Sequence, residues 1–131
     1  FLDYNCGYCK IAFRDVETLL KEDKGLKMVF VDLPILSETS NLAARYALAA
    51  EKQGKYWEFH SALMNAPGGI DQSFLDRTAK DLKLDEDRLK KDAESEAIRG
   101  QIESNIALAR DLGFTGTPGF IVGTQPLRGH Y

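Results

Sequence analysis

Cysteine, histidine, tryptophan and proline are all scarce in this chain, at two, two, one and four of 131 residues. Two cysteines exclude a disulfide-stapled framework and an all-cysteine zinc site. No apolar run comes near the roughly 20 residues that span a bilayer. There is no Ser-His-Asp set, no phosphate-cradling glycine loop, no repeat, linker or low-complexity segment. A net charge of −3 lacks the basic excess that binds nucleic acid or an anionic membrane, so neither is expected as a partner. No signal peptide is visible, but the chain opens on the strand-like Phe1-Leu2, so this absence says nothing about compartment. What is present is ordinary globular material, 44% apolar and 28% charged, long enough for one domain with a real core.

The two cysteines stand together, in Phe1-Leu2-Asp3-Tyr4-Asn5-Cys6-Gly7-Tyr8-Cys9-Lys10. A helical pattern follows them. Positions i and i+3 share a helix face, so Cys6 and Cys9 can close a bond across the first turn. Cys6 falls at the helix N-terminus, where free N–H groups and the macrodipole favour a thiolate. Tetrahedral zinc would need two further ligands, and only His60 and His130 are available, far apart in sequence. So short a loop removes little chain entropy, which argues against a purely structural bond. Redox chemistry is the reading these residues favour.

Taken in order, Ile11, Ala12, Val16, Leu19 and Leu20 predict a helix over 6–21 that stops at Gly25. The run Met28-Val29-Phe30-Val31, between Gly25 and Pro34, predicts a central strand buried on both faces. With Phe1-Leu2 it implies parallel pairing through a right-handed crossover. From 37 to 112 the pattern is almost wholly helical. One helix is capped by Ser37 or Ser40 and closed at Gly54, and a second covers 55–65. Helices starting at Asp71 and Asp85 carry the staple pairs Ile70/Leu75 and Leu84/Leu89. A last helix runs from Ser95 to Leu112 and stops at Gly113. Phe120-Ile121-Val122 is a short strand, turning at 123–125 into an edge-like Pro126-Leu127-Arg128. Base rates favour a trans Pro118.

Cys6-Gly7-Tyr8-Cys9, followed about 110 residues later by Gly116-Thr117-Pro118-Gly119-Phe120, resembles the DsbA family of thioredoxin-fold disulfide oxidoreductases. The dipeptide Gly7-Tyr8 is most similar to the ScsC-like branch of bacterial envelope proteins. The resemblance covers nearly the whole chain. It implies an α/β thioredoxin-like fold with an inserted all-helical domain, trimmed at both ends because the first strand and last helix of the complete fold are absent. Residues 1–36 and 113–131 would form the thioredoxin-like parts and 37–112 the insert.

The same resemblance implies a cis Pro118, Cys6 as attacking thiolate, Cys9 as resolving thiol, Gly7 and Tyr8 as tuning residues, and Thr117 with Pro118 as the edge that binds an extended substrate. It implies no cofactor and no metal. Its partners would be cysteine-containing exported proteins and a membrane or thioredoxin-like redox partner, in the bacterial envelope, with oligomers possible. Thr117 before the proline is similar to isomerase-type members, and the dipeptide lacks the histidine of the most oxidising ones. A non-catalytic peptide- or metal-binding module on the same fold is the rival reading. His60, beside Tyr56, Trp57 and Phe59, reads as a partly buried packing residue before it reads as a proton shuttle. His130 reads as exposed. Tyr4 and Tyr8 are candidates for an apolar rim, with a core ring equally fitting for Tyr4.

Overall fold

Local capping signals set the helices in the computed structural model, which describes residues 1–128. Helix α1 (Gly7–Glu22) starts at Cys6, whose extended backbone and Sγ, accepting the Cys9 N–H, make it the N-cap. Its buried face is Cys9, Ala12, Phe13 and Val16. The stop is made by Asp23 rather than by the expected Gly25. Asp23 turns extended, its N–H reaches Leu19 O at 2.9 Å, and its carboxylate accepts the Gly25 N–H at 3.0 Å. Helices α2 (Glu38–Glu51), α4 (Gln72–Asp81), α5 (Glu86–Ala93) and α6 (Glu96–Asp111) begin at Ser37, Asp71, Asp85 and Ser95. Each cap side chain accepts an N–H three residues on. Helix α3 (Tyr56–Met64) has no side-chain cap. The chain turns after α2 and α6 through Gly54 and Gly113, at φ 74° and 80°, where only glycine is unstrained.

Helix α2 is the hub of the helical block. Ala43, Ala47, Ala49 and Ala50 are fully buried on it, and these small side chains let α3, α5 and α6 pack close. Phe59, Leu63, Leu75 and Leu89 fill the space between them, each with at most 1% exposure. Each such side chain contributes about 1.5–3 kcal/mol by leaving water. Both staple pairs are buried. Leu33, Ala109 and Phe114 form a second, smaller cluster.

Strands β1 (Gly119–Val122) and β2 (Gln125–Arg128) form an antiparallel hairpin in which Ile121 faces Pro126. Phe1 pairs with β1 through two hydrogen bonds with Gly119, of 2.8 and 3.0 Å. Leu2 pairs in parallel with Asp32. The order across the sheet is therefore 31–33, Phe1-Leu2, β1, β2, with the parallel pairing that the sequence predicts. The central strand over 26–33 does not form as expected. Its ladder is the single bridge at Asp32, Val29 is 72% exposed, and Met28, Phe30 and Val31 are half-buried. A strand is held by its neighbour's N–H and C=O groups, and among the described residues Leu2 is the one backbone partner on that side. No helix among the described residues is long and apolar enough to cross a membrane.

Candidate active site

The loop before α1 is fixed by two side chains on either side of Tyr4. Asp3, 1% exposed, accepts Asn5 N–H at 2.9 Å and Ser40 Oγ–H at 2.7 Å on one oxygen. Its other oxygen accepts the Ile35 and Leu36 N–H groups at 2.9 and 3.0 Å. Asn5 donates to Thr39 and Ser40 at 3.1 Å and accepts the Ile70 N–H at 3.2 Å. Lys10, just past the second cysteine, donates to Ala66 O and Gly68 O at 3.0 Å. The Cys6–Cys9 turn is thus tied to the start of α2 and to the α3–α4 loop.

Both thiols are free and buried. Cys9 N–H donates to Cys6 Sγ at 3.2 Å, and Cys6 Sγ–H reaches Thr117 O at 3.5 Å. The strand-preceding segment therefore stands against the sulfur, and the Thr117–Pro118 peptide is cis, as the resemblance implies. Gly119 completes that turn. A Cβ there would lie 2.6 Å from the Phe114 ring, so no other residue fits without displacing it. Burial pushes the Cys9 thiol up to about 12, helped by its hydrogen bond to Cys6 and opposed by contacts with Thr117 and the Asp3 backbone. Gly7 is exposed and Tyr8 stands out at 66% exposure beside the pair, while Tyr4 is a core residue at 1%. Among the described residues no group of three or more His, Cys, Asp or Glu side chains is placed to hold a metal ion.

Behind Cys9 lies a buried polar cluster that no motif announces. Asp32 Oδ1 accepts the hydroxyls of Tyr56 at 2.8 Å and Tyr4 at 3.2 Å. Tyr4 Oη also meets His60 Nδ1 at 2.7 Å. Asp32 Oδ2 is buried without a partner. Desolvation raises the Asp32 carboxyl to about 7, with the two tyrosine hydroxyls pulling against it. Desolvation lowers His60 to about 3. His60 is 1% exposed, fully rather than partly buried, and Tyr4, Phe13, Phe30, Tyr56 and Trp57 surround its ring. Asp32 was legible as one fact: a lone carboxylate between Val31 and Leu33, in a run otherwise fit for a core. His130 lies outside the described residues.

A cis-proline turn facing a Cys-x-x-Cys helix start, with a helical block between them in sequence, is the arrangement of thioredoxin-fold oxidoreductases of the DsbA type. Residues 1–130 match the family described as DSBA-like thioredoxin domain, and the chain belongs to that family. Its structure is similar to a thioredoxin-like oxidoreductase from Silicibacter pomeroyi DSS-3, at 41% identity and TM-score 0.95, over 100% of this chain and 76% of that one. It is also similar to the thiol-disulfide exchange protein alpha-DsbA2 from Wolbachia pipientis, at 35% identity and TM-score 0.92, over 100% of this chain and 72% of the other. Among curated proteins it matches a Na(+)/H(+) antiporter, NhaA 3 of Salinispora tropica, at 30% identity over 100% of this chain. The chain spans 20% of that antiporter's length.

Proposed function

We propose that this chain carries the catalytic centre of a thiol–disulfide oxidoreductase that acts on cysteines of other proteins. The observation that carries the reading is the Cys6–Cys9 pair at the start of α1, with the Thr117–Pro118 turn against Cys6 Sγ. Cys6 is the nucleophile: it caps the N-terminus of α1 and its sulfur stands against the Thr117–Pro118 turn where substrate would lie. Cys9 resolves, since burial holds its proton at neutral pH. In the reducing direction the Cys6 thiolate attacks a substrate disulfide and expels one substrate thiolate. Cys9 then loses its proton and attacks Cys6 Sγ, which releases the second substrate thiol and leaves the Cys6–Cys9 disulfide. Oxidation of a substrate dithiol runs the same steps backwards.

Thr117 and Pro118 form the edge on which an extended substrate segment lies, pairing with the Thr117 backbone. Gly7 and Tyr8 tune the pair. Residues 1–36 with 113–131 act as the thioredoxin-like part and 37–112 as the helical insert. The setting is the bacterial envelope, with cysteine-containing exported proteins as substrates and a membrane or thioredoxin-like protein as redox partner.

Dithiothreitol-driven reduction of insulin, followed by turbidity, tests the reading. The natural chain accelerates it, and Cys6→Ser abolishes the acceleration. Cys9→Ser leaves a mixed disulfide between Cys6 and the insulin chain, visible on a non-reducing gel. Insulin reduction at the uncatalysed rate, with no mixed disulfide trapped, would refute the assignment and leave a binding module.

A further inference from the structure

Two side chains that bracket the cysteines reach to the same piece of chain, the loop joining α3 to α4. Asn5, directly before Cys6, accepts the Ile70 N–H at 3.2 Å. Lys10, directly after Cys9, donates from Nζ to Ala66 O and Gly68 O, both at 3.0 Å. Three points along residues 66–70 are therefore fixed to the two ends of the catalytic turn. The Lys10 ammonium gives up part of its water for these two carbonyls, and that desolvation lowers its pKa.

What the loop presents outward is bare backbone. Pro67, Gly68 and Gly69 are exposed. Neither glycine lies at positive φ, and a Cβ on either would meet nothing within 4 Å. Neither conformation nor packing within the chain asks for glycine there, although each glycine costs the fold chain entropy. The N–H groups of Gly68 and Gly69 and the Gly69 carbonyl have no partner among the described residues. The same open space surrounds Gly7 within the catalytic turn and Gly116 beside Thr117. Through Asn5, the Ile70 nitrogen is held within about 11 Å of the Cys6 Cα, a span of roughly three extended residues.

We propose that the 66–70 loop is a further substrate-binding segment, in which Gly68 and Gly69 pair through their backbone with an extended polypeptide whose cysteine lies at Cys6, and that Lys10 positions this loop. The inference rests on the oxidoreductase reading above and adds a second line of contact to the Thr117 edge. Its ligand is main chain, so it takes unfolded segments of many sequences rather than one side-chain pattern. A side chain at 68 or 69 would fill the space in which the substrate backbone lies.

Two disulfide probes with one shared leaving group test this. One is a short peptide whose central cysteine is linked to thionitrobenzoate, and the other is N-acetylcysteinamide linked in the same way. In each, the Cys6 thiolate of the reduced protein attacks the cysteine sulfur, the probe's S–S bond breaks, and coloured thionitrobenzoate leaves. Stopped-flow absorbance gives both rate constants, and their ratio measures what the flanking backbone adds. In Gly69→Val that ratio should fall about tenfold, the scale of one or two lost hydrogen bonds. In Lys10→Met, which frees the loop without adding bulk to it, the ratio should fall about fivefold. Gly69→Val has room for its side chain, so it decides the matter even where Lys10→Met fails to fold. A natural ratio in both variants would overturn the proposal while leaving the oxidoreductase reading intact. A fall in Gly69→Val alone, with both constants reduced equally in Lys10→Met, would overturn the role of Lys10, which would then act on the cysteines. Failure of the natural reduced protein to attack either probe would overturn the oxidoreductase reading as well.

Discussion

Asp3 and Asp32 are each 1% exposed, and they occupy opposite electrostatic worlds. Asp3 sits where the chain turns into the active site, and three backbone N–H groups and one hydroxyl converge on it. Asp32 sits one layer behind, with two phenols on one oxygen and nothing on the other. Burial alone therefore does not decide what a carboxylate does. Donors aimed at a carboxylate replace the water it lost and make it a structural anchor. Too few donors leave it titratable. The first arrangement fixes geometry around Cys6, and the second leaves a group able to exchange protons.

The comparison breaks most visibly at Asp3. Asp3→Ala removes the acceptor for three backbone N–H groups and the Ser40 hydroxyl, all in or near the cysteine loop. The Ser40 hydroxyl is buried and the three N–H groups are part-buried, so each one left without a partner costs about 1 kcal/mol, the lower end for a buried donor. Urea unfolding should therefore show a loss of roughly 3 kcal/mol. A loss under about 1 kcal/mol would mean that solvent or a rearranged loop satisfies those donors.

Asp32→Asn should act in the opposite direction above neutrality. The Asp32 carboxyl titrates near 3.8 when unfolded and about 7 when folded. Between these values the folded state holds a proton that the unfolded state has released, so this group's contribution to stability falls as pH rises. His60 does the reverse. It titrates at 6.5 unfolded and about 3 folded, so the unfolded state binds the extra proton and stability rises with pH over that window. The two slopes largely offset one another in the natural protein between pH 4 and 6.5. Asp32→Asn removes one of them. Its stability should climb by about 1.4 kcal/mol per pH unit from pH 4 to 6, and above pH 7 it should exceed the natural protein's by on the order of 2 kcal/mol. Urea midpoints at pH 4, 5, 6 and 8 read this directly. Parallel curves for variant and natural protein would remove the contrast between the two carboxylates.

The smallest expected effect lies outside both clusters. Tyr8 is 66% exposed, so Tyr8→Ser should change stability by less than about 0.5 kcal/mol. As a rim residue beside the cysteines that also tunes the pair, it should instead raise KM for insulin and shift the Cys6–Cys9 reduction potential. A large stability loss would place its ring in packing the structure does not show.

The sequence by itself determined the parts that depend on neighbours along the chain. Cys6 and Cys9 at i and i+3, Asp71, Asp85 and Ser95 as helix starts, the staple pairs, and Gly54 and Gly113 as stops are all read from short spacing, while the choice of Ser37 over Ser40 as the α2 cap is made by the structure. Each was legible because the interaction that fixes it spans three to five residues. Gly25 is the exception: Asp23 took over its role, because a side-chain acceptor two residues earlier closes the turn first. The meeting of Thr117–Pro118 with Cys6 came from resemblance to a family, since nothing local joins two segments 111 residues apart. Tertiary structure alone decided the rest. Four apolar residues at 28–31 specify a strand only if a backbone stands on each side, and here the pairing stops at Asp32. Asp32, Tyr4, Tyr56 and His60 come from three separate segments, and each taken alone reads as an ordinary core or surface residue. Their chemistry exists only because packing brings them together and removes the water that would otherwise set each one's charge.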